Sequence, residues 1–313
     1  MMSPASPEVF DRQQVRRRRG RATTSYQDAE FIKLRVIEDI EDRLLATARK
    51  FSRALVLGGY NPALAERIQP YCDTLIETDF SPARLARDRK PKLVADEEWL
   101  PFKENSFDLI LSPLSLHWVN DLPGTLIQIN RCLKPDGYFV GVMPGGASLN
   151  ELRQSLLRAE DELTGGAEMR VSPFADALDM SGLLQRAGFA LPVSDRDRLT
   201  VRYANMFDLL RDLQAAGETY APHQTARKGL SRRILMRAAE IYAEDFSDPD
   251  GRIRVTLELV WMTGWSPHAS QPKPKRPGSA KASLAEAVGA SEKSAGEKTG
   301  LAAGRPSGPK YRR

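Results

Sequence analysis

Apolar positions along the chain follow two rhythms that alternate. Short apolar runs at Ala54–Leu57, Asp73–Thr78, Lys92–Ala95, Phe107–Ser112 and Tyr138–Met143 read as strands. Other stretches place apolar residues three to four apart. From Ser25 the sequence shows Phe31, Leu34, Ile37, Ile40 and Leu44, an amphipathic helix, with Ser25 and Asp28 spaced like a capping box. The stretch LPGTLIQINRCL, 122–133, is a second helix, stopped by Lys134-Pro135-Asp136-Gly137. Strands that alternate with helices predict a parallel sheet covered on both faces.

After residue 146 the helical rhythm dominates. LNELRQSLLRAEDEL and DMSGLLQRAGF are amphipathic, the latter ending on Gly188, and a strand follows near Ala190–Asp195. NMFDLLRDLQAAGE and RRILMRAAEIYAEDF predict two further helices. Residues 252–265 alternate again, with Ile253, Val255, Leu257 and Leu259 against Arg252, Arg254, Thr256 and Glu258: a late strand. Residues 1–24 read as an irregular basic arm, 25–268 as the folded domain, and 269–313 as a basic tail, disordered from about residue 290.

Composition and charge refine this outline. The chain has 313 residues, 41% hydrophobic and 28% charged, as expected of a globular protein, and no run suits a membrane helix. No secretory signal is visible, and Arg16–Arg19 lacks the apolar face of a transit peptide. Cys72 and Cys132 are too few for a disulfide framework or zinc cluster and read as reduced core residues, which points to the cytoplasm. The net charge of +5 is uneven: residues 1–25 carry +4, those from 271 on +7, and the remainder −6. Basic ends on an acidic body, without interleaved aromatics, argue against nucleic acid and leave peripheral contact with a membrane surface open.

In a doubly wound sheet a ligand sits beyond the carboxyl ends of the strands. Gly58-Gly59 stands there after the first strand, Asp79 after the second, Asp96-Glu97 after the third, and Ser112 to Trp118 after the fourth. Glycines admit a ligand to the backbone. One acid can accept ribose hydroxyls, and another the exocyclic amine of adenine. Each group also has an ordinary use: a strand-to-helix turn, a helix-capping acid, a packed His-Trp pair. No His, Asp or Glu cluster has the spacing of a metal site, and His117, His223 and His268 lie far apart in sequence.

The stretch DEEWLPFKENSFDLILSPLSLHWVNDLPGTLIQINRCLKPDGYFVGVMPGG, 96–146, resembles class I S-adenosylmethionine-dependent methyltransferases. VFDRQQVRRRRGRA, SPFADALDMSGLLQRAGF and SQPKPKRPGSAKASL resemble one branch, that of the mitochondrial complex I assembly factor of arginine-hydroxylase type and its alphaproteobacterial relatives. The malonyl-carrier-protein methyl ester synthases are more distant. The resemblance implies a Rossmann-like α/β fold with seven strands, the last antiparallel, and a helical insertion at about 205–247 between strands six and seven. It implies S-adenosylmethionine as cofactor, held by Gly58, Gly59, Asp79, Asp96, Glu97 and Ser112. Ser115, His117 and Trp118 are the candidates for catalysis. The implied activity is modification of a protein, an iron–sulfur subunit of complex I, by methyl transfer or arginine hydroxylation. A fold-retaining assembly factor without activity and a small-molecule carboxyl methyltransferase stay open. The first motif departs from the family: Val56 stands where an acid is usual and Tyr60 where a glycine is usual.

Overall fold

Seven strands form one sheet in the order β3-β2-β1-β4-β5-β7-β6 in the computed structural model, which describes residues 8–58, 61–85, 92–223, 229–272, 279 and 288–290. The strands are β1 (Phe51–Leu57), β2 (Cys72–Asp79), β3 (Lys92–Val94), β4 (Phe107–Pro113), β5 (Leu133–Pro144), β6 (Ala190–Tyr203) and β7 (Ile253–Trp265). Strand β7 runs antiparallel to both β5 and β6, and the other six point one way. Strand order reverses between β1 and β4, so the carboxyl ends of these two frame the expected ligand crevice.

The period of two in β1 builds the layers. Ala54 and Val56 pack on one face with Val36, Ile37, Ile40 and Leu44 of α2 (Phe31–Thr47) and Leu64 and Ile68 of α3 (Pro62–Ile68). Leu55 and Leu57 pack on the other with Leu126 and Ile129 of α5 (Leu122–Cys132) and Met180 and Leu184 of α7 (Ala177–Arg186). All four β1 side chains are fully buried, which is why a central parallel strand reads as a continuous apolar run. A third core joins α6 (Asn150–Thr164), α8 (Met206–Ala216) and α9 (Arg232–Phe246) to the outer ends of β6 and β7. Helices α8 and α9 are the insertion between those strands. A one-turn α4 (Pro82–Leu85) follows β2.

Several elements differ from the sequence expectation. The arm expected to be irregular contains α1 (Arg12–Ala22), capped by Asp11, whose carboxylate accepts from the Gln14 N–H at 3.0 Å. Its pattern hid it because its inward face includes Arg19, 1% exposed, beside Val15 and Ala22. The Ser25 capping box does not form: Ser25 precedes a 3₁₀ turn at Tyr26–Ala29 with no side-chain cap, and α2 begins at Phe31. Lys134–Gly137 does follow a helix, but as a bulge inside β5, since Phe107 and Leu109 of β4 pair with Leu133 and Tyr138. Strand β6 runs to Tyr203 because its polar side chains lie on a mostly exposed edge strand. The buried alternation of β7 holds only near its start, and Leu259 to Met262 are covered on both faces. The expected disorder beyond residue 290 falls outside the described residues, as do Gly59 and Tyr60.

Candidate active site

Beyond β1, Gly58 takes φ +66°, and a Cβ there would meet the Ser115 Cβ at 2.4 Å. Only glycine meets both demands. Its N–H donates to the Thr78 carbonyl at 2.9 Å, tying the turn to the end of β2. Its carbonyl accepts from the Lys33 ammonium of α2 at 2.6 Å. Lys33 is buried, and that burial, with Arg84 nearby, pulls its amine down to about 7, although Asp79 acts in the opposite sense. Ser112 and Ser115 share a hydrogen bond of 2.9 Å, and the Ser115 hydroxyl also donates to the Leu57 carbonyl at 3.2 Å. Both hydroxyls are thus engaged in tying β4 to β1.

Asp79 ends β2 and is fully buried. Its Oδ1 accepts from the Ser81 N–H at 2.8 Å; its Oδ2 accepts no hydrogen bond and lies 4.0 Å from the Arg84 guanidinium. Asp96 and Glu97 stand near β3 as expected, but α1 has claimed them. Arg12 lies 2.5 Å from both Asp96 Oδ1 and Glu97 Oε2, and Arg19 donates to Glu97 Oε1 at 2.9 Å. Burial alone would push the Glu97 carboxyl up, but Arg19 and Arg12 outweigh it and hold it near 2. The Arg12 guanidinium also lies 4.5 Å from the Phe80 ring centre. The available signal was spacing, since residues 12 and 19 are seven apart and share a helix face.

A cleft with about 910 Å³ of empty space, partly open to solvent, lies beside these groups. Tyr26, Lys33, Arg84, His117, Trp118 and Glu218 supply polar groups to its wall, while Leu114 and Pro144 bring the ends of β4 and β5 to it. Glu218 follows α8. Its Oε2 lies 2.8 Å from both His117 Nε2 and Trp118 Nε1. Burial pushes the Glu218 carboxyl up, but His117 outweighs it and holds the carboxyl near 2. The Glu218 carboxylate orients the imidazole, and His117 Nδ1 is buried with no hydrogen-bond partner. Trp118 is packed edge-on against Phe10 at 5.3 Å, with Val15 and Ala221.

The structure therefore brings His117 and Trp118 to the cleft wall, whereas Gly58, Asp79, Asp96, Glu97, Ser112 and Ser115 do not line it. Sequence reasoning missed Lys33, Arg84 and Glu218, each brought in from a distant element. Among the described residues, no group of three or more His, Cys, Asp or Glu side chains is placed to hold a metal ion, and no helix is long and apolar enough to cross a membrane. Cys72 and Cys132 are buried thiols that form no disulfide.

Residues 55–141 match the family described as Methyltransferase domain. The chain is 42% identical over 287 residues to the mitochondrial arginine-hydroxylase NDUFAF5 of Danio rerio, covering 89% of each chain. It is 31% identical over 274 residues to a malonyl-[acyl-carrier protein] O-methyltransferase of Halorhodospira halophila, covering 84% of this chain and 91% of that one. The crystal structure of BH2331 from Bacillus halodurans, described as a "putative methyltransferase", superposes with TM-score 0.51 at 16% identity over 73% of this chain and 99% of its own, a likeness of fold. With the sheet order above, these similarities show that the chain belongs to the methyltransferase-fold family of the NDUFAF5 arginine-hydroxylases and is an enzyme of that fold type.

Proposed function

We propose that this enzyme binds S-adenosylmethionine at the carboxyl edge of the sheet and hydroxylates an arginine of a protein substrate, an iron–sulfur subunit of respiratory complex I. The observation that carries the reading is the His117–Glu218 pair on the cleft wall. A guanidinium offers only N–H donors and needs acceptors. Glu218 is an ionised acceptor on the cleft wall, held in place by His117 and Trp118. Similarity at 42% identity across 89% of an arginine-hydroxylase supports the same substrate side chain.

The residues at the sheet edge fit the cofactor in part. Asp79 Oδ2, a buried acceptor without a hydrogen bond, suits a ribose hydroxyl, and Gly58 keeps the strand end free of side chain. Asp96 and Glu97, the candidates for the adenine end, already serve Arg12 and Arg19. When bound, the cofactor would supply a sulfonium centre; the oxygen atom of the hydroxylation would come from dioxygen, with an external two-electron donor reducing the second oxygen atom to water. The chain's own residues position it, cover one side of the cleft with α8, and hold the substrate nitrogen donors at Glu218. Basic ends suit an encounter at a membrane surface where such a complex is assembled.

The test is mass spectrometry of the complex I iron–sulfur subunits from a strain lacking the gene. An arginine that gains one oxygen in wild type, loses it in the deletion, and regains it with the intact gene but not with His117→Ala is the expected result. Carboxyl methyl transfer to a small acid is the second reading, favoured by the similarity to the malonyl-carrier-protein enzyme. A subunit mass unchanged by the deletion, with growth that becomes dependent on biotin, would replace the first reading by the second.

A further inference from the structure

Of the four arginines at 16–19, Arg18 is half-buried and forms no ion pair among the described residues. Burial pulls its guanidinium down from the ordinary value, against the influence of Asp11. Its donors go to main-chain oxygens instead. Nη1 donates to the Thr219 carbonyl at 2.7 Å and to the Tyr220 carbonyl, and Nη2 donates to the Gln14 Oε1 at 3.2 Å. A guanidinium half out of water without a counter-charge is costly, so these contacts need a reason.

The two carbonyls immediately follow Glu218. Residues 218–223 form no helix or strand of their own, and their carbonyls need partners from elsewhere. The N-terminal arm supplies them. Besides Arg18, the Asp11 N–H donates to the Ala221 carbonyl and the His223 N–H to the Val9 carbonyl, each at 3.0 Å, and Phe10 pairs with Pro222 in an isolated antiparallel bridge. Just before Glu218, Gly217 takes φ +78°, and a Cβ there would meet the Ala22 Cβ at 3.1 Å and the Arg19 Cα at 3.2 Å. Helix α1 therefore touches the chain on both sides of Glu218. We propose that Arg18 is a positioning residue: by fixing the two carbonyls after Glu218, it sets the Glu218 carboxylate against His117 Nε2 and Trp118 Nε1. Its bearing on the reaction rests on the reading of Glu218 as the acceptor for the substrate guanidinium.

Trp118, one of four tryptophans, is the reporter, because its indole N–H donates to Glu218 at 2.8 Å. The measurement is proton NMR of the full chain with nitrogen-labelled tryptophan. Trp118→Phe assigns the signal, and Glu218→Ala marks its position without the carboxylate. Arg18→Met is expected to move the signal most of the way to that position and to raise solvent exchange of the proton by about tenfold or more. Arg18→Lys keeps the charge but replaces the guanidinium by a point donor; it is expected to move the signal part of the way, and it decides the matter if Arg18→Met does not fold. Asp11→Ala weakens α1 while leaving Arg18 in place, and is expected to leave the signal unmoved. A signal unmoved in the Arg18 variants overturns the proposal. So does an equal displacement in Asp11→Ala, which would show that Arg18 serves only to hold α1 together. In cells, Arg18→Met is expected to lower the oxygenated fraction of the substrate arginine by about tenfold or more. A displaced signal with oxygenation unchanged, or a wild type with no oxygenated arginine, overturns the place of Glu218 in the reaction and leaves its positioning by Arg18 standing.

Discussion

Glu97 shows how far surroundings can reassign a residue. Its carboxyl is 2% exposed, yet two guanidinium groups hold it near 2, against an ordinary value of 4.5. A folded value below the unfolded one means stability that is fully present above the ordinary value and lost as pH falls through the lower one. The contribution is on the order of 3 kcal/mol. Acid unfolding followed by circular dichroism should therefore steepen as pH drops from 4.5 toward 2, and Glu97→Gln should flatten that part of the curve. Arg19→Met should cost about 3–5 kcal/mol in urea unfolding, because it strips a buried acid of a partner. A loss below about 1 kcal/mol would mean that Arg12 alone neutralises the acid.

Helix α1 is where a local reading of the chain failed most. A helix with four consecutive arginines has almost no apolar stripe, so periodicity does not announce it. It forms because Asp11 caps it, because Val15 joins Phe10, Trp118 and Ala221, and because acids from the β3 end receive Arg12 and Arg19. Removing the cap with Asp11→Ala should cost about 1 kcal/mol. Arg12→Gln should raise amide exchange across 12–22 while β1 stays protected, since the docking of α1 is local and the sheet core is not. Exchange rising equally in β1 would show that α1 belongs to the global cooperative unit. Strand β4 offers the contrast: Leu111, fully buried in the core shared by α2 and β1, should cost about 2–5 kcal/mol as Leu111→Ala.

At the scale of the molecule, the basic run divides its labour. Arg19 faces inward, whereas Arg16, Arg17 and Arg21 are exposed. Binding to anionic vesicles should fall steeply with salt and be lost in the triple variant Arg16→Ser, Arg17→Ser, Arg21→Ser, with the melting temperature unmoved. Flat salt dependence would remove the membrane contact. The layered architecture needed no tertiary information. Apolar runs such as Ala54–Leu57, helical spacing from Phe31 to Leu44 and the RRILMRAAEIYAEDF helix are local signals, because burying one face of an element demands a period that neighbouring residues carry themselves. Asp79 after β2 was legible for the same reason: the end of a strand is a local event. What only the tertiary structure decided was the partner of each charge. Glu97 meets Arg19 across 78 residues and Glu218 meets His117 across 101, and Lys33 meets Gly58 through the docking of α2 on the sheet. A charged side chain has no periodic preference that says whether it will face water or a buried counter-charge; that follows from which elements the fold sets side by side.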